Sequence, residues 1–192
     1  MSSITLATRL VAFVGKVTSA FLDIKEEDTS LKKGLKAGDA VARRVVYSLA
    51  DYWLMIVSGA FIILMDRQFE YGPFGLFMLM WAFDIVVANA FVVVWKRTGQ
   101  DVTLGESYRR AVDVIHSSSR LAGLLGFAGV IIKAAFWDGP EHIVIFFHRE
   151  LKTELRMLLA LLALTALQAA IWTPIYILGF NTVEELWRHL FL

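Results

Sequence analysis

Two aspartates and an asparagine, Asp51, Asp84 and Asn89, sit inside long apolar runs of this chain. A charge held near the middle of a bilayer costs at least ~2.5 kcal/mol, so an ionisable side chain kept there has either a partner or a task. Asp51 lies six residues past Val45 and Asn89 six residues before Trp95, the inner ends of their runs. At a rise of about 1.5 Å per residue both are roughly 9 Å deep, and on antiparallel neighbours they are expected to hydrogen-bond. Asp84 is eleven residues from Trp95, about 17 Å in and near the midplane. It shares a helix face with Trp81, Ala88 and Phe91. Such groups can line a cation or proton path, or they can tie helices together. A relay needs polar steps across the whole thickness, and the outer half offers little beyond Ser58, Lys133 and Thr165. The tie between helices is therefore the favoured role.

Lys133 follows a stripe of small residues, Ser118, Ala122 and Gly126, whose spacing lets helices approach closely. The expectation is a structural ion pair from Lys133 to Asp66 or Glu70, at the outer ends of neighbouring elements. Thr165, Gln168 and Trp172 share a face further on, and Thr173-Pro174 should bend their helix. The segment 137–154, expected to be the outer connection between the last two spans, is rich in polar groups. Its His142 and His148 are six apart, not the four that would face them together on a helix, so no metal site is expected. Cysteine is absent, which removes disulfides, thiolate metal sites and a cysteine nucleophile. No phosphate-binding glycine loop, nucleophile elbow or zinc-hydrolase helix is present, nor any nucleic-acid module. No enzyme activity and no cofactor are expected.

The elements that must position these residues are helices in a membrane. Hydrophobic residues make up 57% of the chain and charged residues only 19%, below the usual quarter of a soluble domain. The charges are also gathered into blocks between apolar runs of about the length a bilayer requires, roughly 20 residues. Four spans are expected, at about 45–65, 73–95, 118–137 and 155–180, forming a four-helix bundle in a single membrane domain 1–192. The third is the weakest, because Arg120 and Lys133 lie near its ends.

Three shorter helices complete the reading. Residues 4–22 carry Leu6, Leu10, Phe13, Val14, Val17 and Phe21 at spacings of three and four, an amphipathic pattern suited to a membrane surface. Thr103 and Glu106 have capping-box spacing ahead of a helix at 104–116, with Leu104, Tyr108, Ala111, Val112 and Ile115 on one face. Thr182 and Glu185 repeat that spacing ahead of a C-terminal interfacial helix at 182–192.

With four spans, fourteen of the nineteen Lys and Arg residues fall on the side holding the N-terminus, the C-terminus and the 96–120 connection. The positive-inside bias makes that side cytoplasmic, in a membrane of bacterial inner (plasma) type. Tyr47, Trp53, Trp95, Trp172 and Tyr176 are then expected near the inner boundary, and Tyr71, Phe74 and Trp137 near the outer one. The leading functional expectation is a non-enzymatic scaffold or accessory subunit that meets lipid, further membrane subunits or its own copies. The alternative is an oligomeric ion or proton channel or transporter component using Asp51, Asp84 and Asn89.

Overall fold

The computed structural model describes residues 3–69 and 71–191 and is helical throughout, with no strand among them. Three helices are long and apolar enough to cross a membrane. These are α2 (Ser30–Phe69), α3 (Pro73–Thr98) and the Glu154–Gly179 part of α8 (Glu154–Phe191). Each presents mostly apolar side chains outward: Val46, Trp53, Val86, Leu159 and Leu178 are all exposed, as lipid-facing residues must be. Pro73 opens α3 at its first turn, where a missing N–H costs nothing. Gly99 closes α3 in the left-handed conformation (φ 68°) and donates its N–H to Trp95 O at 2.8 Å.

The three run antiparallel in sequence. Tyr47 meets Phe91 edge to face and Phe61 stacks on Phe83, which aligns α2 against α3. Trp81 Nε1 donates to Thr165 Oγ1 at 3.1 Å, and Lys96 reaches Glu154 at 3.0 Å, which aligns α3 against α8. The end of the bundle that holds Arg44, Lys96 and Glu154 is called here the near end. The far end holds Phe69 and Pro73.

Residues 99–153 lie between α3 and α8 and return to the near end. They form α4 (Gly105–Ser118), α5 (Arg120–Lys133), a π-helical turn (Ala134–Asp138), α6 (Pro140–Phe146) and the single turn α7 (His148–Leu151). The expected third span, 118–137, is not found as a spanning helix. Its α5 has 14 residues, about 21 Å against a core of about 30 Å. The small-residue stripe explains why. A Cβ on Gly126 would lie 3.4 Å from the Val112 side chain, and one on neighbouring Gly123 would collide with the backbone of His116. The stripe is spent inside an α4–α5 hairpin, broken at Ser119, whose extended backbone and side chain cap α5 through Ala122 N.

The segment expected to be an exposed outer connection is the most enclosed part of the chain. All seven residues of α6 are buried. Val144 and Ile145 pack with Ala88 and Val92 of α3 and Met157 and Leu161 of α8. Phe146 faces the other way, into Val112 and Val130 of the hairpin. Gly105 permits this close approach, since a Cβ there would lie 3.0 Å from His142 O.

The expected helix at 104–116 is α4, with Leu104, Ala111 and Val112 buried. Its cap differs from the expected box. Asp101 Oδ2 accepts Glu106 N at 2.7 Å and Thr103 Oγ1 accepts Gly105 N at 3.2 Å, while the Glu106 carboxylate takes Trp95 Nε1 at 3.0 Å. The N-terminal helix is α1 (Ser3–Phe21). Phe21 meets Tyr108 edge to face, and Arg110 donates to the carbonyls of Ala20 and Phe21 at its C-terminal end. Leu10, Val11 and Val14 remain exposed along it. No separate C-terminal helix forms: 182–191 continue α8, and Thr182 Oγ1 bonds back to Leu178 O at 2.9 Å instead of capping a new start.

Candidate functional site

Where the 134–146 segment meets α2, the chain buries two sets of ionisable groups with opposite character. The first is centred on Asp138, which is 1% exposed. Its Oδ1 accepts from Arg44 at 3.0 Å, its Oδ2 from Lys133, and its backbone carbonyl from the Tyr47 hydroxyl. Burial pushes the Asp138 carboxyl up, but the bond and charge of Lys133 and the bond from Arg44 hold it below the ordinary range. Lys133 also lies 5.0 Å from the Tyr108 ring centroid. Neither Asp66 nor Glu70 takes the expected pair: Asp66 is exposed at the far end of α2, and Glu70 lies outside the described residues. A helix that turns back after Lys133 brings its own Asp138 within reach, and a local partner wins over a distant one.

Gly139 makes the turn possible. Its φ of 81° and ψ of 159° belong to glycine, and a Cβ there would sit 2.6 Å from the Glu141 carboxylate. Pro140 then starts α6 at the position where proline is pre-organised for a helix.

Glu141 begins the second set. It is 4% exposed, and burial, with added repulsion from Asp51 and Asp84, pushes its carboxyl up to about 8 even though Tyr47 bonds to it. Tyr47 Oη lies 2.7 Å from Glu141 Oε1 and also contacts Asp138 O. One hydroxyl proton cannot serve both acceptors. Tyr47 therefore donates to the Glu141 carboxyl or to Asp138 O, one at a time. Next to it, His142 is 1% exposed, and burial holds it down at about 4, so it is neutral, with Nδ1 lacking any hydrogen-bond partner.

Glu141, Asp51 and Asp84 line one cleft of about 80 Å³ between α2, α3, α8 and the 136–141 turn. Ser58, Gln168 and Tyr176 add neutral polar groups, and Phe83, Phe91, Trp137 and Trp172 add aromatic walls. Ser58 Oγ and Tyr176 Oη lie 3.3 Å apart at the far end of this lining. One helical turn beyond, Ile62, Leu76, Met80 and Ala169 form a buried apolar cluster, with Trp172 and Tyr176 packed against it. The polar lining therefore stops short of the far end. Asp84 is 8% exposed, and its Oδ2 is buried with no hydrogen-bond partner.

Of the three intramembrane polar residues singled out in the sequence, Asp51 and Asp84 share this cleft and Asn89 does not. Asn89 is exposed on the other side of α3, in a groove with Val92, Lys96, Leu155 and Leu158. Five residues from Asp84 is about 140° around a helix, so equal depth did not mean a common face. Trp172 and Tyr176, expected at the inner boundary with Trp95, lie instead between the cleft and the apolar cluster at its far side, away from the near end where α8 starts. Glu141, Asp138, Arg44 and Tyr47 were not recognised as one site. Their signal was the Asp-Gly-Pro-Glu turn followed by the apolar run Ile143–Phe147, which is too hydrophobic for an exposed loop. Among the described residues no group of three or more His, Asp or Glu is arranged to hold a metal ion.

Compared with protein-family models, curated proteins and solved structures, the chain matches none. The fold and the site define it only as an all-helical membrane protein with three candidate spans and a carboxylate-lined cleft between them.

Proposed function

We propose that this protein is a cation-binding subunit of a membrane transport assembly. The observation that carries this reading is Asp84: a buried carboxylate with an unpartnered oxygen, facing a cleft that also holds Asp51 and Glu141. A carboxylate without a counter-ion at such depth is costly to keep unless a cation or proton visits it. Three spans cannot enclose a continuous path, and the apolar cluster beyond Tyr176 closes the cleft at one end. The conducting unit then needs further copies or a partner subunit, which retains the accessory-subunit role expected from the sequence.

The charge distribution supports an N-in orientation in a membrane of bacterial inner type. With 99–153 returning to the near end, that end and its flanks hold seventeen of the nineteen Lys and Arg residues, leaving only Arg67 and Arg188 beyond. The C-terminal end of α8 is then on the opposite side from the N-terminus, and accessibility labelling at residues 3 and 191 reads this directly.

Reconstitution tests the transport reading. Proteoliposomes holding the full chain and its co-purified partners should take up protons or monovalent cations faster than empty vesicles. Asp84→Asn should reduce that flux at least tenfold, and an unchanged flux overturns the proposal. Native mass spectrometry should show a homo- or hetero-oligomer, and an active monomer would refute the assembly.

A further inference from the structure

Resting on the cation-binding reading, we infer that the ion is a proton, handed between Glu141 and Asp84 along a short file of water that opens to the near end and excludes metal cations. The two carboxyls lie at different depths. Glu141 is tied to Tyr47, and Tyr47 meets Phe91. Asp84 is seven residues from Phe91 along α3, so it lies about 10 Å further from the near end at about 1.5 Å per residue. Each hydrogen-bonded step between water oxygens covers about 2.8 Å, so about three waters bridge that separation. The cleft of about 80 Å³ has room for such a file, at about 30 Å³ for each water in the liquid.

Size and donor geometry turn a metal cation away. One that keeps a shell of about six waters needs roughly 180 Å³ by the same measure. One stripped of its water needs several oxygens converging at about 2.0–2.6 Å. The carboxyls here come from α2, α3 and α6, and no three acidic or His groups converge in that way among the described residues. A proton needs only one open oxygen at each stop. Asp84 offers one: it is 8% exposed, and its Oδ2 is buried with no donor. No Lys or Arg lines the cleft, because Arg44 and Lys133 are drawn off to Asp138.

Around Glu141, α2 brings Tyr47 and Asp51, α3 brings Asp84 and the preceding turn brings Asp138, while α8 adds only the neutral Gln168 and Tyr176 to the cleft. Burial among these anions favours the neutral acid, so at neutral pH Glu141 holds a proton to give. Glu141 releases that proton to the first water, and a proton from the last water joins the Asp84 carboxylate. The Glu141 carboxylate then accepts a bond from Tyr47 until a proton from the near side restores it. The apolar cluster of Ile62, Leu76 and Ala169 ends the file beyond Ser58 and Tyr176. Release to the far side therefore falls to a further copy or a partner.

The test uses proteoliposomes of the full chain with its co-purified partners, loaded with a pH-sensitive dye and polarised by a potassium gradient with valinomycin. Proton influx should agree within twofold between sodium buffer and buffer with N-methylglucamine in its place, and tracer sodium uptake should not exceed that of empty vesicles. Glu141→Gln and Asp84→Asn should each lower proton influx at least tenfold. Infrared difference spectra of the native chain in nanodiscs need no variant to fold: the protonated-carboxyl bands should respond to pH and not to added sodium. Asp84-dependent sodium uptake, carboxyl bands that shift with sodium, or proton influx untouched by Glu141→Gln overturns the inference and leaves the transport reading in place. No flux of either ion above that of empty vesicles removes both.

Discussion

Asp138 and Asp84 are both aspartates buried where the 134–146 segment and α3 meet the bundle, yet they live under opposite rules. Asp138 has Arg44 and Lys133 as counter-charges and a backbone carbonyl tied to Tyr47. Asp84 has no ion pair, one unpartnered oxygen and an open cleft. A fully compensated buried charge fixes a conformation, because removing one partner strands the other. An uncompensated one stabilises nothing by itself and makes sense through what it binds. Two copies of one residue type thus differ in the number of cations around each, and under the proposed function Asp138 has a structural role and Asp84 a binding one.

The contrast can be broken from the Asp138 side first. Arg44→Met leaves Asp138 buried with Lys133 alone. The change should cost about 2–3 kcal/mol, reduced from the usual figure for a buried pair because Arg44 is itself one-third exposed. Thermal unfolding in detergent, followed by tryptophan fluorescence, should fall by several degrees. Next comes Gly139→Ala, which forces a side chain into a glycine-only conformation against Glu141 and should cost about 1–3 kcal/mol. Asp84→Leu, in contrast, should leave the melting temperature unchanged or raise it, since it removes an unpaired polar group, while abolishing cation-dependent flux. A melting loss as large as that of Arg44→Met would erase the distinction drawn here.

The smallest effect is a pH slope. Glu141 has a folded value of about 8 against an ordinary 4.5, so between these values the native state holds a proton that the unfolded chain releases. Its contribution to stability is thus present at low pH and is lost as pH rises toward 8. His142, held down at about 4, works in the other direction: the unfolded chain binds more protons between 4 and 6.5, and stability rises with pH there. Above pH 6.5 the His142 slope has ended, while the Glu141 slope continues. Melting temperature should decline from pH 6.5 to 8 in the native chain and less steeply in Glu141→Gln. Identical slopes would show that Glu141 is already ionised.

Hydrophobic length and charge blocks were enough to locate α1, α2, α3, α4 and α8, because a membrane span or an amphipathic face writes its period directly into the chain. They were not enough for 118–153. Arg120-Leu-Ala-Gly-Leu-Leu-Gly through Lys133 has the composition of a span, and composition carries no record that Gly123 and Gly126 meet His116 and Val112 only fourteen or fewer residues away. The cleft was half legible. Depth along a helix predicted that Asp51 and Asp84 matter, but azimuth decides who meets whom, and it excluded Asn89. Glu141 was hidden for a different reason: its segment was read as an outer loop, and its burial follows from a reversal of direction at Gly139 that depends on tertiary packing.

That hairpin has a consequence for how the protein is made. A nascent segment as apolar as α5 arrives at the membrane before α8 exists, and each later span takes its direction from the one before it. With α5 folded against α4 at the near end, α8 starts from that end and leaves the C-terminal end on the other side. Were α5 threaded across instead, α8 would begin from the far side and insert upside down, and Gln168, Trp172 and Tyr176 would miss the cleft. A side chain at Gly123 would collide with His116, so the close α4–α5 packing from which α8 starts at the near end depends on that glycine.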